Sequence, residues 1–195
     1  MKKIMLPILL FAQFGYSQNQ SELPFEAIGD YPEAYTAHTV MIRLISGLGY
    51  RYHWASKELR TVDLAYRPSS EAASTEETLV HLYGLSDMIK NAVINQPTLR
   101  PLSAISMSYK ELREATLLNL QEAVQGLQTV SKESLAEKKV IIERASKCVE
   151  FPFWHAINGP VSDALYHVGQ LVSFRRTTGN PIDSKVSVFM GKNKN

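Results

Sequence analysis

The chain has 195 residues, with 21 Lys and Arg against 19 Asp and Glu and a formal charge of +2. That length suits one domain with a proper core, and the near balance of charge gives no electrostatic case for a nucleic-acid partner. The only cysteine, Cys148, excludes an internal disulfide, and its expected state is a buried, inert thiol rather than a nucleophile.

Met1-Lys-Lys opens an apolar run to Ala12, and Gly15 and Ser17 put small residues where a signal peptidase inspects them. Residues 1–17 are therefore predicted to be a signal peptide, too short to span a bilayer, cleaved after Ser17. With no cysteine near the cut, a lipoprotein anchor is excluded. The expected product is exported, periplasmic or secreted, with no membrane anchor. Residues 18–30, with Pro24 and Gly29, should be irregular, residues 31–181 should form the folded domain, and 182–195 a tail.

Asp30 as N-cap and Pro32 in the first turn predict a first helix from Tyr31 to about Leu59. Ala37, Val40, Met41, Leu44, Ile45 and Leu48 recur along it at helical spacing. Pro68 stops any continuation. Ser74-Thr-Glu-Glu77 is a capping-box start for a second helix, about Thr75 to Ile94. Its apolar side carries Thr78, Leu82, Leu85, Met88 or Ile89, and Ala92, with His81 in the middle, where a core histidine satisfied by one hydrogen bond is the plain alternative to a ligand. Ser108-Tyr-Lys-Glu111 starts a third helix that buries Leu112, Ala115, Leu118 or Asn119, Ala123, Val124 and Leu127. Lys138–Arg144 and Cys148–Phe153 are short, β-branched or aromatic runs. They predict a small β-hairpin in the crossover to the last helix, against the alternative that 135–143 is helical. Four amphipathic helices with one decorated crossover make an all-α, up-down four-helix bundle.

The last helix has both ends marked, by Asn158-Gly-Pro160 at the start and by Gly179 and Pro181 at the stop. Asp163 and His167 are four residues apart and so project from one face, with Gln170 and Phe174 continuing it. A carboxylate and an imidazole at this spacing make half of a metal site, although a solvated surface pair uses the same spacing.

Thr78-Leu-Val-His81-Leu-Tyr-Gly-Leu, followed by Asp163-Ala-Leu-Tyr-His167-Val-Gly-Gln170 and Arg175-Arg-Thr-Thr-Gly179-Asn-Pro, resembles the DinB-like helical-bundle superfamily. The resemblance covers about Tyr31 to Pro181. It implies one divalent metal ion in the bundle, with His81 matching the helix-two ligand and His167 the second histidine of the family's last-helix pair. Asp163 stands where that pair usually has its first histidine. An aspartate there gives a two-histidine, one-carboxylate set suited to Zn, Ni, Fe or Mn, or else the site keeps only a hydrogen-bonded His–Asp pair.

The resemblance further implies a metal-dependent hydrolase acting on a small-molecule substrate through an activated water. Thiol transfer, the family's other chemistry, suits an exported chain less well, because such thiol pools are cytoplasmic. The competing class is a non-enzymatic bundle that binds a small ligand or pairs with itself as a homodimer. His155, beside Trp154, is an additional candidate at the site or else a packing residue. Gln170 either orients a metal ligand or makes an interhelical hydrogen bond. Arg175 and Arg176 favour the helix dipole, pair with carboxylates or receive an anionic substrate. No catalytic base is readable.

Overall fold

The computed structural model describes residues 22–102, 105–145 and 147–194, so the signal-peptide expectation for 1–17 lies outside the described residues. The chain is mainly helical. Its long helices are α1 (Ala37–Ala55), α3 (Thr75–Ile94), α4 (Tyr109–Thr129) and α6 (Ser162–Thr177), with short α2 (Thr61–Ala65) and α5 (Lys132–Ala136) between them. α1 and α3 each pack against both α4 and α6. Ile45, Leu48, Leu79, Leu82, Leu117, Leu120 and Leu171 fill the space between these helices and are essentially inaccessible to water. Each such side chain contributes about 1.5–3 kcal/mol by leaving water.

Local chemistry explains where the helices begin. Ser74 and Ser108 each accept from the backbone three residues on, at Glu77 and Glu111, and each glutamate accepts from its serine's N–H at 2.7 Å. α1 departs from the expectation. It starts at Ala37 behind a Thr36–Thr39 capping box rather than at Tyr31 behind Asp30, and it stops at Ala55 rather than Leu59. Thr36 and Thr39 satisfy backbone donors on the spot, whereas Tyr31 and Tyr35 remain outside the helix and exposed.

The end of α1 is buried, so its carbonyls need partners inside the protein. Arg113 donates to the His53 carbonyl at 3.1 Å, and Arg175 donates to those of Trp54 and Ala55 at 2.9 and 3.2 Å. Tyr109 donates its hydroxyl hydrogen to the Ser56 carbonyl. Close by, buried Asp63 accepts from Arg60 Nε at 2.9 Å, from Asn180 Nδ2 at 2.7 Å and from the Thr178 hydroxyl. The Arg60 guanidinium beside Asp63, helped by Thr178 and Asn180, holds that carboxyl well below the usual range.

A three-stranded sheet of β1 (Pro97–Leu99), β2 (Lys139–Arg144) and β3 (Lys147–Pro152) packs against α3 through β1 and β2. β2 pairs antiparallel with β3, in the register Ile142 opposite Val149, and parallel with β1. β3 is an edge strand, and Cys148 on it is exposed, which corrects the expectation of a buried thiol. After α6, β4 (Val186–Ser187) and β5 (Lys192–Asn193) pair antiparallel, and Asn193 accepts from the buried Tyr50 hydroxyl at 3.0 Å. Among the described residues no helix is long and apolar enough to cross a membrane.

Candidate metal centre

α3 and α6 together position the candidate ligands. The expected start of the last helix at Asn158-Gly-Pro160 is instead a π-helical turn, Ile157–Val161, in which Gly159 takes non-helical dihedrals. α6 follows directly, with the Ser162 hydroxyl donating back to the Ile157 carbonyl at 2.6 Å. The stop is as the sequence marks it. Gly179 has φ +72°, and the N–H groups of Gly179 and Asn180 return to the carbonyls of Arg176 and Arg175 at 3.3 and 2.8 Å.

His81 on α3 and Asp163 and His167 on α6 offer one donor atom each, all within 4.8 Å of one another. His81 Nε2 lies 3.2 Å from Asp163 Oδ2, and His167 Nε2 lies 3.3 Å from Asp163 Oδ1. The two imidazoles meet edge to face with centroids 4.4 Å apart. The side chains of His81 and Asp163 are 44% and 43% exposed, that of His167 22%. His81 is therefore not the buried residue its place in the pattern suggests. Thr78, Leu82, Leu85 and Ile89 fill the inward stripe, and His81 sits at its border, facing the carboxylate on α6.

The donor types suit a divalent ion. Two atoms held at about 2.0–2.1 Å on a tetrahedral ion are separated by about 3.3 Å. Each imidazole nitrogen lies near that distance from a different Asp163 oxygen, and the set as a whole, spanning up to 4.8 Å, closes on one ion by small side-chain rotations. His167 supplies a second observation. Its Nδ1 lies 2.7 Å from Gln170 Oε1, which accepts a hydrogen from Nδ1. That bond leaves Nε2 facing the Asp163 oxygen, where it donates to the carboxylate when it carries a hydrogen and can bind a cation when it does not. Gln170 thus bonds within α6 and does not bridge helices.

Other candidates stand apart from the cluster. His155 is exposed and stacks on Phe151 with centroids 4.9 Å apart, so it packs on the sheet and is no member of the cluster. His53 is buried and donates from Nδ1 to the Pro24 carbonyl at 2.9 Å. Arg175, expected near the helix dipole or an anionic substrate, is buried and caps α1. That role has no signal in the sequence, because its acceptors are backbone atoms about 120 positions away. The main cavities, of about 700 and 550 Å³, follow the outer side of α1 and are not lined by His81, Asp163 or His167.

No family model matches the chain. No curated protein matches it. Among solved structures it is similar to the crystal structure of a DinB-like protein from Bacillus subtilis, with 11% identity and a TM-score of 0.57. The match covers 79% of this chain and 99% of that one. That likeness gives this chain the DinB-like fold.

Proposed function

We propose that the chain is an exported, metal-dependent hydrolase of a small molecule, built on an up-down bundle of α1, α3, α4 and α6. The carrying observation is the His81–Asp163–His167 cluster, three donors from two helices within 4.8 Å, with an exposed side. His81 Nε2, an Asp163 oxygen and His167 Nε2 would hold the ion. Three protein ligands leave a position for water or substrate, as catalytic sites require. A divalent ion held there would supply Lewis acidity toward a carbonyl or a water. Gln170 fixes the His167 ring and its tautomer, and Asp163 presents one oxygen toward each imidazole. Solvent reaches the cluster directly, so substrate approaches from the surface without a tunnel.

The test is elemental analysis of untagged protein beside an Asp163→Ala variant, followed by ester and amide turnover with and without chelator. About one ion per chain, lost in the variant, with turnover abolished by chelation and restored by one metal, is the expected result. A metal-free wild type would sink the proposal.

A second reading has its own support. The main cavities avoid the cluster, which suits a bundle whose metal only ties α3 to α6. Chelation would then lower the melting temperature of a protein without hydrolytic turnover. Export is tested separately, by N-terminal sequencing of the mature protein from the exported fraction. A chain starting at Gln18 is expected, and one retaining Met1 would overturn it.

A further inference from the structure

The outer face of α1 carries a trough separate from the His–Asp–His cluster. Its larger part, about 700 Å³, runs between α1, Leu165 of α6 and Phe189 of the C-terminal segment. Its smaller part, about 550 Å³, continues to Phe153 and Trp154. Tyr35, Val40 and Leu44 line both, so the two form one surface. Each volume falls within the about 300–1,000 Å³ of small-molecule sites. Tyr35 is 97% exposed and Phe189 93%, and large aromatics gathered on one exposed face mark an interaction site.

Charge narrows what that site takes. Arg43 and Arg51 line the larger part, two helical turns apart on one side of α1, with Gly47 between them. Gly47 makes room for Arg51, since a Cβ there would meet its Nη1 at 3.2 Å. Arg51 donates to the carbonyls of Gly47 and Val188 at 3.0 and 3.5 Å. Arg43 donates to that of Gly29 at 2.7 Å and lies 4.9 Å over the Tyr31 ring. Among the described residues neither guanidinium pairs with a carboxylate. Each has five N–H donors, so both have hydrogens left for an anion. Toward the start of α1, the trough is bounded by Met41, Leu135, Phe153 and Ile157, and among the described residues no cationic side chain lines it.

A cationic end and an apolar end in one trough are the complement of an amphiphilic anion. We propose that this trough binds a single-chain carboxylate with an alkyl tail, such as a fatty-acid anion. The carboxylate lies at Arg43 and Arg51, and the tail runs past Val40 toward Trp154. The proposal is independent of the metal reading, because none of the cluster's residues lines the trough.

The test titrates the full chain with monomeric dodecanoate below its micelle concentration, following tryptophan emission, with dodecanol as the neutral control. Trp154 is exposed at the apolar end, so a saturable blue shift is expected. Losing two charge-assisted contacts in an Arg43→Gln/Arg51→Gln double variant should weaken dodecanoate at least about tenfold. Dodecanol affinity should stay unchanged. Val40→Asp, at an exposed position, should abolish binding of both while leaving the circular dichroism spectrum intact. Equal affinity for acid and alcohol, or an unchanged double variant, would overturn anion recognition. Binding to anionic vesicles without binding to monomeric dodecanoate would replace the proposal with a lipid surface. Light scattering that finds a dimer broken by Val40→Asp, and no ligand bound, would replace it with a second copy of this chain.

Discussion

The two ends of α6 carry polar clusters of opposite kinds. At the C-terminal end, Arg175 and Asn180 are tied to Asp63 and to the end of α1, with donors and acceptors matched inside the protein. At the N-terminal half, Asp163 and His167 face His81 near solvent, and His167 Nε2 faces a carboxylate oxygen. The first cluster is complete as folded. The second gathers three groups of ligand type at an exposed position. Polarity alone therefore does not mark a candidate site, but convergence of ligand-type groups where solvent reaches them does.

Substitutions separate the two ends by whether their effect depends on metal. The largest effect is expected for Arg175→Leu, which leaves the buried carbonyls of Trp54 and Ala55 without donors. Two unsatisfied buried groups cost about 2–5 kcal/mol, read as a drop in urea midpoint that added metal does not repair. A midpoint unchanged from wild type would mean that water reaches the end of α1.

Asp63→Asn should cost about 1.5–3 kcal/mol, as expected for a lost charged hydrogen-bond acceptor. It should also change the acid limb of stability. Arg60 holds the folded Asp63 carboxyl below its unfolded value. Its contribution is therefore fully present above about pH 4 and is lost as pH falls further. Buried His53 adds a separate loss. Desolvation lowers its folded pKa, so stability declines as pH falls below about 6.5 in both proteins, and this cancels in the comparison. The wild-type advantage should thus be constant near neutrality and narrow only in the carboxylate range. An advantage independent of pH would show that Asp63 acts through shape alone.

These outcomes also mark what was legible from sequence. Ser74, Ser108 and Gly179 are punctuation read within a few residues, and the structure uses each of them so. Asp163 and His167 share a face because helical spacing puts them there. Tyr31-Pro32 misled as a start signal, since a threonine pair further on caps α1 with better local bonds. The tie of Asp63 to Thr178 and Asn180 and that of Arg175 to the end of α1 were hidden, because those partners lie more than a hundred positions away. Cys148 was misjudged for want of sheet order, since nothing in its neighbours says that its strand lies at an edge.

At the other end of α6 the effects should depend on metal. His167→Ala removes a half-buried side chain that bonds Gln170 and packs on His81 and Tyr166, so the metal-free variant should lose about 0.5–1.5 kcal/mol. Metal at a hundred times its dissociation constant should stabilise the wild type by about 2.7 kcal/mol and the variant hardly at all. A large loss without metal would instead make the cluster a structural tie between α3 and α6.

The smallest effect is expected for Gln170→Leu, and it tests how the site is set up. Gln170 is half-buried and, among the described residues, its side chain bonds only His167 Nδ1, three residues earlier on the same helix. Leucine keeps the approximate volume and the helix propensity, so the metal-free protein should change little. What it removes is the acceptor that keeps the hydrogen on Nδ1. Without it the Nε2 tautomer becomes available, and the ring must give up that hydrogen and its new partner before it can bind a cation. Loss of such an orienting contact typically weakens metal binding about 10–100-fold. Competition titration against a chromophoric chelator would read that change directly. Gln170→Glu should restore or exceed wild-type affinity, because a carboxylate accepts the same hydrogen more strongly. Equal affinity in all three proteins would mean that Asp163 alone orients the ring, leaving Gln170 as an ordinary helix-surface contact.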